Sequence, residues 1–162
     1  MKNPASEKKN TDPALTVTID DRLLTQFAAE LLEAAGFTEE ESCLTAQSLV
    51  LSNLLGHDSH GVIRVHEYIH FFNHKEVFSG AQLTIKAEGP GFLKAEAGYG
   101  LGQVQMPRLL EKLVPKASQC GVATGTIRQC GHTGRIGEWV EKLAAQGLAA
   151  MIAVNDNGGF EC

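Results

Sequence analysis

Apolar residues recur at helical spacing in the first half of the chain and in short, broken runs in the second. Leu23, Leu24, Phe27, Leu31 and Leu32 follow Thr18-Ile19-Asp20-Asp21 and predict a first helix, with Asp20 as N-cap and Gly36 in the C′ role. Thr38 and Glu41 stand at capping-box separation and open a second helix. Leu44, Ala46, Leu49, Val50 and Leu54 would bury one side of it, and Gly56 would end it. A third helix is predicted from near Asp58 or Ser59, fading around His74. Residues 15–78 thus read as a helical lobe, preceded by a polar, disordered tail over 1–14.

Residues 79–162 read as a partial α/β lobe. Leu83 to Glu88 and Phe92 to Glu96 look like two short strands around Gly89-Pro90-Gly91. Gly98-Tyr99-Gly100-Leu101-Gly102 reads as a flexible connection into a helix from about Gln103 to Gln119. Pro107 is tolerated near its start, whereas Pro115 is expected to kink the helix or end it early. A strand from Gly121 to Ile127, a Gly-rich corner, a helix from about Arg135 to Gln146 and a buried strand from Leu148 to Val154 complete the outline. The order ββαβαβ predicts an α/β fold with some parallel pairing.

Composition narrows the function classes. The apolar fraction of 43% suits a globular protein. A net charge of −5, with no basic run beyond Lys8-Lys9, argues against a general nucleic-acid binder and against attraction to an anionic membrane. The stretch Leu148 to Val154 is too short to span a bilayer. Met1 to Asn10 has no signal-peptide core, and Cys43, Cys120, Cys130 and Cys162 show no C-x-x-C pair. Free thiols in a cytoplasmic protein are therefore expected.

The third predicted helix carries the most chemistry. His60, Arg64 and Tyr68 are four apart, so on a helical wheel Arg64 and Tyr68 fall about 40° and 80° from His60. Val62, Val65, Ile69 and Phe72 occupy the adjacent sector, which would set the polar stripe at the edge of a packed surface. A proton-transfer group, a bidentate carboxylate binder and a hydroxyl-tipped aromatic suit a small polar carboxylate. The alternative is a solvated helix face with an incidental histidine. His66, His70 and His74 form a second stripe, and histidines four apart can share a zinc ion. No carboxylate or cysteine is evidently placed to complete such a shell, so no metal is expected and an exposed stripe is preferred over a metal-dependent hydrolase.

Gly131-His132-Thr133-Gly134-Arg135-Ile136-Gly137 lies between a predicted strand and helix, where small residues let backbone N–H groups approach an anion. Its glycines stand three apart and do not make G-x-G-x-x-G; Gly98-x-Gly100 also fails, because Gln103 occupies the last required position. A tight packing turn and a phosphate cradle remain open readings, and His132 favours function because α/β ligands bind at strand C-terminal corners.

Together these segments resemble one family. Asn53 to Arg64, with Asp58-Ser59-His60-Gly61-Val62-Ile63-Arg64, is similar to the D-S-H-G-V-x-R signature of the type-2 malate/L-lactate dehydrogenases, and Gly131-His132-Thr133-Gly134 looks like that family's G-H-x-G corner. Leu148 to Asn155 looks like the strand that follows it, and the resemblance covers nearly all of residues 18–157. It implies a non-Rossmann dehydrogenase fold and hydride transfer between NAD or NADP and C2 of a 2-hydroxy or 2-oxo acid. By the same resemblance His60 carries the proton, Ser59 orients it, Arg64 holds the substrate carboxylate and Tyr68 lines the pocket. His132 is the rival acid/base, and His132, Gly134, Ile136 and Asn155 meet the cofactor. A cytoplasmic homodimer is implied for the full-length protein. Family members are considerably longer, so the chain is expected to be a truncated N-terminal part that alone binds NAD(P) poorly and turns over nothing. A non-catalytic binding or oligomerising fragment is the alternative.

Overall fold

The computed structural model describes residues 17–155, so the predicted tail over 1–14 lies outside the described residues. Helix α1 spans Asp21–Ala35 and α2 spans Glu39–Leu54. Both begin as their caps predict: Asp20 accepts from the Arg22 and Leu23 amides, and Thr38 and Glu41 form the reciprocal capping box. Gly36, at φ +115°, closes α1 in a left-handed turn. The buried face of α1 differs from the one predicted. Ala28, Ala29 and Leu32 are buried, whereas Leu23, Phe27 and Leu31, which follow one another at four-residue intervals, are 63%, 58% and 39% exposed. On α2, Ala46, Leu49 and Val50 are buried as expected, but Leu54 is exposed and Ser42, Thr45, Ser48 and Ser52 share the interior.

The predicted third helix is broken. A 3-10 turn over Asp58–His60 leads to Gly61 in an extended conformation, and α3 begins at Arg64 and ends at Asn73. The cause lies on α2. The Asn53 amide donates to Asp58 Oδ1 at 2.6 Å and its oxygen accepts from the Val62 amide at 2.8 Å. A Cβ at position 61 would lie 2.2 Å from that oxygen. His60 therefore does not share a helix with Arg64 and Tyr68, and the wheel angles do not relate them.

Strands β1 (Thr84–Gly89) and β2 (Phe92–Gly100) form the predicted hairpin, and β3 (Thr124–Cys130) pairs parallel to β2, in the order β1-β2-β3. Gly98 to Gly100 is not a loose connection: it ends β2, and Gly100 pairs with Cys130. Helix α4 (Gly102–Cys120) makes the crossover and runs past both Pro107 and Pro115, ending at a left-handed Gly121. Gly121 is thus a helix cap and not a strand start. Helix α5 spans Gly137–Ala144, shorter than predicted.

Leu148 to Val154 is not a strand, because no neighbouring strand offers it a ladder among the described residues. Leu148, Ala150 and Ile152 pack instead on Met106, Leu110, Trp139 and Leu143, while Met151 is 93% exposed. The main apolar cluster unites α1, α2 and α3 with Val77, Leu101 and Val104, and so seats the first turn of α4 directly behind α3. A third cluster, Leu93, Ala95 and Leu109, joins β2 to α4. Burial of these apolar side chains is the main force that brings the functional segments together.

Candidate active site

Residues from three elements meet at the Asp58–His60 turn, one of them from far along the chain. His132 stands just past the end of β3, Tyr68 projects from α3, and His60 ends the 3-10 turn. The His60 and His132 ring centroids lie 5.4 Å apart, and the Tyr68 hydroxyl is 2.8 Å from His132 Nδ1. The amide Nε2 of Gln103, in the first turn of α4, donates to the Tyr68 hydroxyl at 2.7 Å. Tyr68 and Gln103 are each 1% exposed. Burial pushes the Tyr68 phenol above its ordinary range, so it stays neutral and both donates and accepts.

Gln103 is the site residue that sequence reasoning missed. In the sequence it marks only the place where a dinucleotide fingerprint needs glycine. The available signal was a pair of glutamines, Gln103 and Gln105, alternating with Val104 and Met106 at a helix start; all four are buried.

His60 is half-buried, and its Nδ1 lies 3.0 Å from Ser59 Oγ. Burial, then the Arg64 charge, then His57 hold its imidazole below the ordinary 6.5, which favours the neutral ring. Arg64 is braced in place: its Nε donates to the Ser59 carbonyl at 2.6 Å and its Nη1 to Glu67 Oε2 at 2.5 Å. Ser59, Ile63, Arg64 and Glu67 line a cleft of about 240 Å³. A larger groove of about 510 Å³, between α1 and α2, contains none of these groups.

The corner carrying His132 is held from several sides. The Gly131 amide donates to the Gly100 carbonyl at 2.8 Å, and Trp139 Nε1 to the Thr133 carbonyl at 3.0 Å. Gly134 has φ +69°, and a Cβ there would stand 3.0 Å from Gln103 Nε2 and 3.6 Å from Ser48 Oγ. Ser48 donates to the buried Glu138 carboxylate at 2.6 Å, which also accepts from Lys142. Arg135 is engaged on both prongs by Glu141. Ile136 is 42% exposed beside the corner, whereas Asn155 is exposed at the end of the described residues and no hydrogen bond joins it to the cluster.

Two other chemistries find less support. Burial pushes the Cys130 thiol up to about 12, away from thiolate reactivity. His70 and His74 stack at 4.0 Å, but His74 Nδ1 contacts the His70 carbonyl, and no group of three metal-ligating side chains forms among the described residues.

The residue pattern matches a family model, malate/L-lactate dehydrogenase, over residues 19–159. The chain belongs to the malate/L-lactate dehydrogenase family. Among its relatives, hydroxycarboxylate dehydrogenase B of Escherichia coli K12 is 31% identical over 134 residues, covering 82% of this chain and 37% of the relative. The (2R)-3-sulfolactate dehydrogenase (NADP(+)) of Chromohalobacter salexigens is 31% identical over 128 residues, covering 79% and 38%. The structure of malate dehydrogenase from Pyrococcus horikoshii OT3 superposes with a TM-score of 0.77 at 27% identity, over 81% of this chain and 38% of that one. The chain thus spans well under half the length of the dehydrogenases it matches. Its α/β fold, with helices first and a mixed sheet after, is the fold of that family and not a Rossmann sheet.

Proposed function

We propose that this chain contributes the substrate-facing wall of a dehydrogenase that moves a hydride between NAD or NADP and C2 of a small 2-hydroxy or 2-oxo acid. The observation that carries this reading is the meeting of His60, Tyr68 and His132 beside the braced Arg64 guanidinium. The corner after β3 fits the nicotinamide end of such a cofactor. Small residues bring backbone close there, Gly134 turns left-handed, and Ile136 offers an exposed apolar side chain beside His132. His132, Gly134, Ile136 and Asn155 are the residues that would meet it. When bound, the nicotinamide supplies the acceptor or donor of the hydride.

The protein's own groups do the remainder. His60 takes the hydroxyl proton on oxidation and returns it on reduction, a role suited to an imidazole kept neutral. Ser59 holds its Nδ1, which orients the ring. Arg64, fixed by Glu67 and the Ser59 carbonyl, presents a planar fork to the substrate carboxylate. His132 supplies the second imidazole, with the Tyr68 hydroxyl behind it. Residues 15–78 and 79–162 act as two lobes of this unit, within a full-length cytoplasmic homodimer. No helix of the described residues is long and apolar enough to cross a membrane.

The exposed Leu23, Phe27 and Leu31 favour a second reading for residues 1–162 taken alone: a binding or oligomerising unit without turnover. Assay of the full-length protein with a panel of 2-oxo acids and both reduced cofactors tests the first reading. His60→Ala should lower kcat by about 10²–10⁴-fold with folding retained. Arg64→Lys should chiefly raise KM, because lysine cannot make the two-pronged contact. Unaltered kinetics in both variants, or no turnover of any 2-oxo acid, sinks the assignment.

A further inference from the structure

We propose that Gln103 is a positioning residue that acts through the Tyr68 hydroxyl to hold His132 in its Nε2-protonated tautomer. A phenol has one proton and can accept at its oxygen. Gln103 Nε2 donates to that oxygen at 2.7 Å, so the phenol proton is directed to the other neighbour, His132 Nδ1, at 2.8 Å. A neutral imidazole that accepts at Nδ1 carries its own proton on Nε2.

The opposite arrangement is penalised by burial. An Nδ1–H tautomer would place two donors on the Tyr68 oxygen and leave the phenol proton without an acceptor, on a side chain only 1% exposed. Turning the Gln103 amide over would supply that acceptor. It would also leave both amide N–H groups without a partner, whereas the orientation in the structure leaves one N–H and the Oε1 acceptor without one. Buried carbonyl oxygens tolerate this better than buried N–H groups do. The left-handed Gly134 matters here, since any side chain at that position would press on Gln103 Nε2.

The consequence rests on the dehydrogenase reading and divides labour between the two histidines. On oxidation of a 2-hydroxy acid the C2–H bond would break, and a bound nicotinamide would accept the hydrogen with its electron pair. The hydroxyl O–H bond breaks, its proton passes to His60, and the C=O bond forms. His132 keeps its Nε2 proton throughout and donates a hydrogen bond to the substrate oxygen. It orients and polarises, and His60 is the base.

Nitrogen NMR of the intact protein carrying ¹⁵N-labelled histidine, at a pH where the imidazoles are neutral, reads the tautomer without any turnover. The His132 resonances, assigned by their loss in His132→Gln, should report the Nε2–H form alone. Tyr68→Phe, which keeps the ring and removes the hydroxyl, should populate both tautomers while the remaining spectrum is preserved. Gln103→Glu should convert His132 to the Nδ1–H form as the new carboxyl ionises, because a carboxylate draws the phenol proton to itself. An Nδ1–H form or an even mixture in the unsubstituted protein overturns the proposal. So does a tautomer unchanged in Tyr68→Phe, or unchanged in Gln103→Glu up to pH ~10, past the range to which burial raises a carboxyl. Absence of dehydrogenase activity would refute the function and leave this result standing, so the two failures are distinguishable.

Discussion

Replacement of Gly102 by alanine separates close packing from helix propensity, because the two predict opposite signs. Gly102 is the buried first residue of α4, and its backbone is not left-handed, so alanine meets no dihedral penalty there. By propensity alone, alanine would stabilise a helix by up to about 1 kcal/mol. Its Cβ, however, would lie 2.5 Å from the His132 carbonyl oxygen and 2.5 Å from Thr133 Cα. Carbon contacts relax only near ~3.5–4.0 Å, so the corner must retreat by about 1 Å. The obstacle is backbone, tied down by the Gly131 and Trp139 hydrogen bonds, and cannot swing aside as a side-chain tip would. Overpacking of this kind costs about 1–3 kcal/mol, which exceeds the propensity gain. The same retreat would stretch the 2.8 Å contact between Tyr68 and His132 beyond hydrogen-bonding range. Under the proposed function, a misplacement of about 1 Å beside the substrate would lower turnover by about 10²-fold. Urea unfolding and kcat on the full-length Gly102→Ala protein measure the two effects. Stability equal to or above that of the parent, together with unaltered kcat, would refute the steric argument.

Two further outcomes follow from the network around the corner and from His60. Glu138→Ala leaves the Ser48 hydroxyl without its acceptor in a site where Ser48 and Glu138 are 4% and 3% exposed, whereas Lys142 can turn to water. A loss of about 2 kcal/mol is expected in equilibrium unfolding, and a loss under about 0.5 kcal/mol contradicts the role given to that hydrogen bond. Because the folded-state pKa of His60 is held below 6.5, the folded protein binds this proton less readily than the unfolded chain. The contribution of His60 to stability is therefore intact above pH ~6.5 and declines as pH falls from there toward the lower folded value. His60→Asn should flatten the stability profile over that acidic interval, and parallel profiles for the two proteins would contradict the sign.

What was legible in the sequence was local. Asp20 and Gly36, and the Thr38–Glu41 pair, act within one turn of their own helix ends, and their residue types announce the geometry. The break after His60 was not legible, since its agent, the Asn53 side chain, reaches the Val62 amide from another helix. Helical spacing of His60, Arg64 and Tyr68 continued across that break without a helix to support it. The glycines at 100 and 102 suggest looseness by residue type but serve close approach. A Cβ at Gly100 would meet Gln105 Nε2 at 2.6 Å and Ala81 Cβ at 2.8 Å, and one at Gly102 would meet the His132 backbone. Composition cannot separate a glycine needed for freedom from one needed for absence of volume.

The site shows the same divide between residue type and residue partner. Histidine and arginine stand out in a sequence because few positions need an imidazole or a guanidinium, so His60, Arg64 and His132 could be singled out before any contact was known. Their relation could not, because Tyr68 and His132 are 64 residues apart and Tyr68 and Gln103 are 35 apart, joined only through the packing of α3 and α4. Glutamine is unremarkable in type and becomes informative only when nearly wholly buried against a phenol. That burial removes water as an alternative partner and leaves the Gln103–Tyr68–His132 chain a single favoured direction for its protons. Two histidines that look equivalent as sequence are thereby made unequal by a glutamine whose role is set by its partners and not by its type.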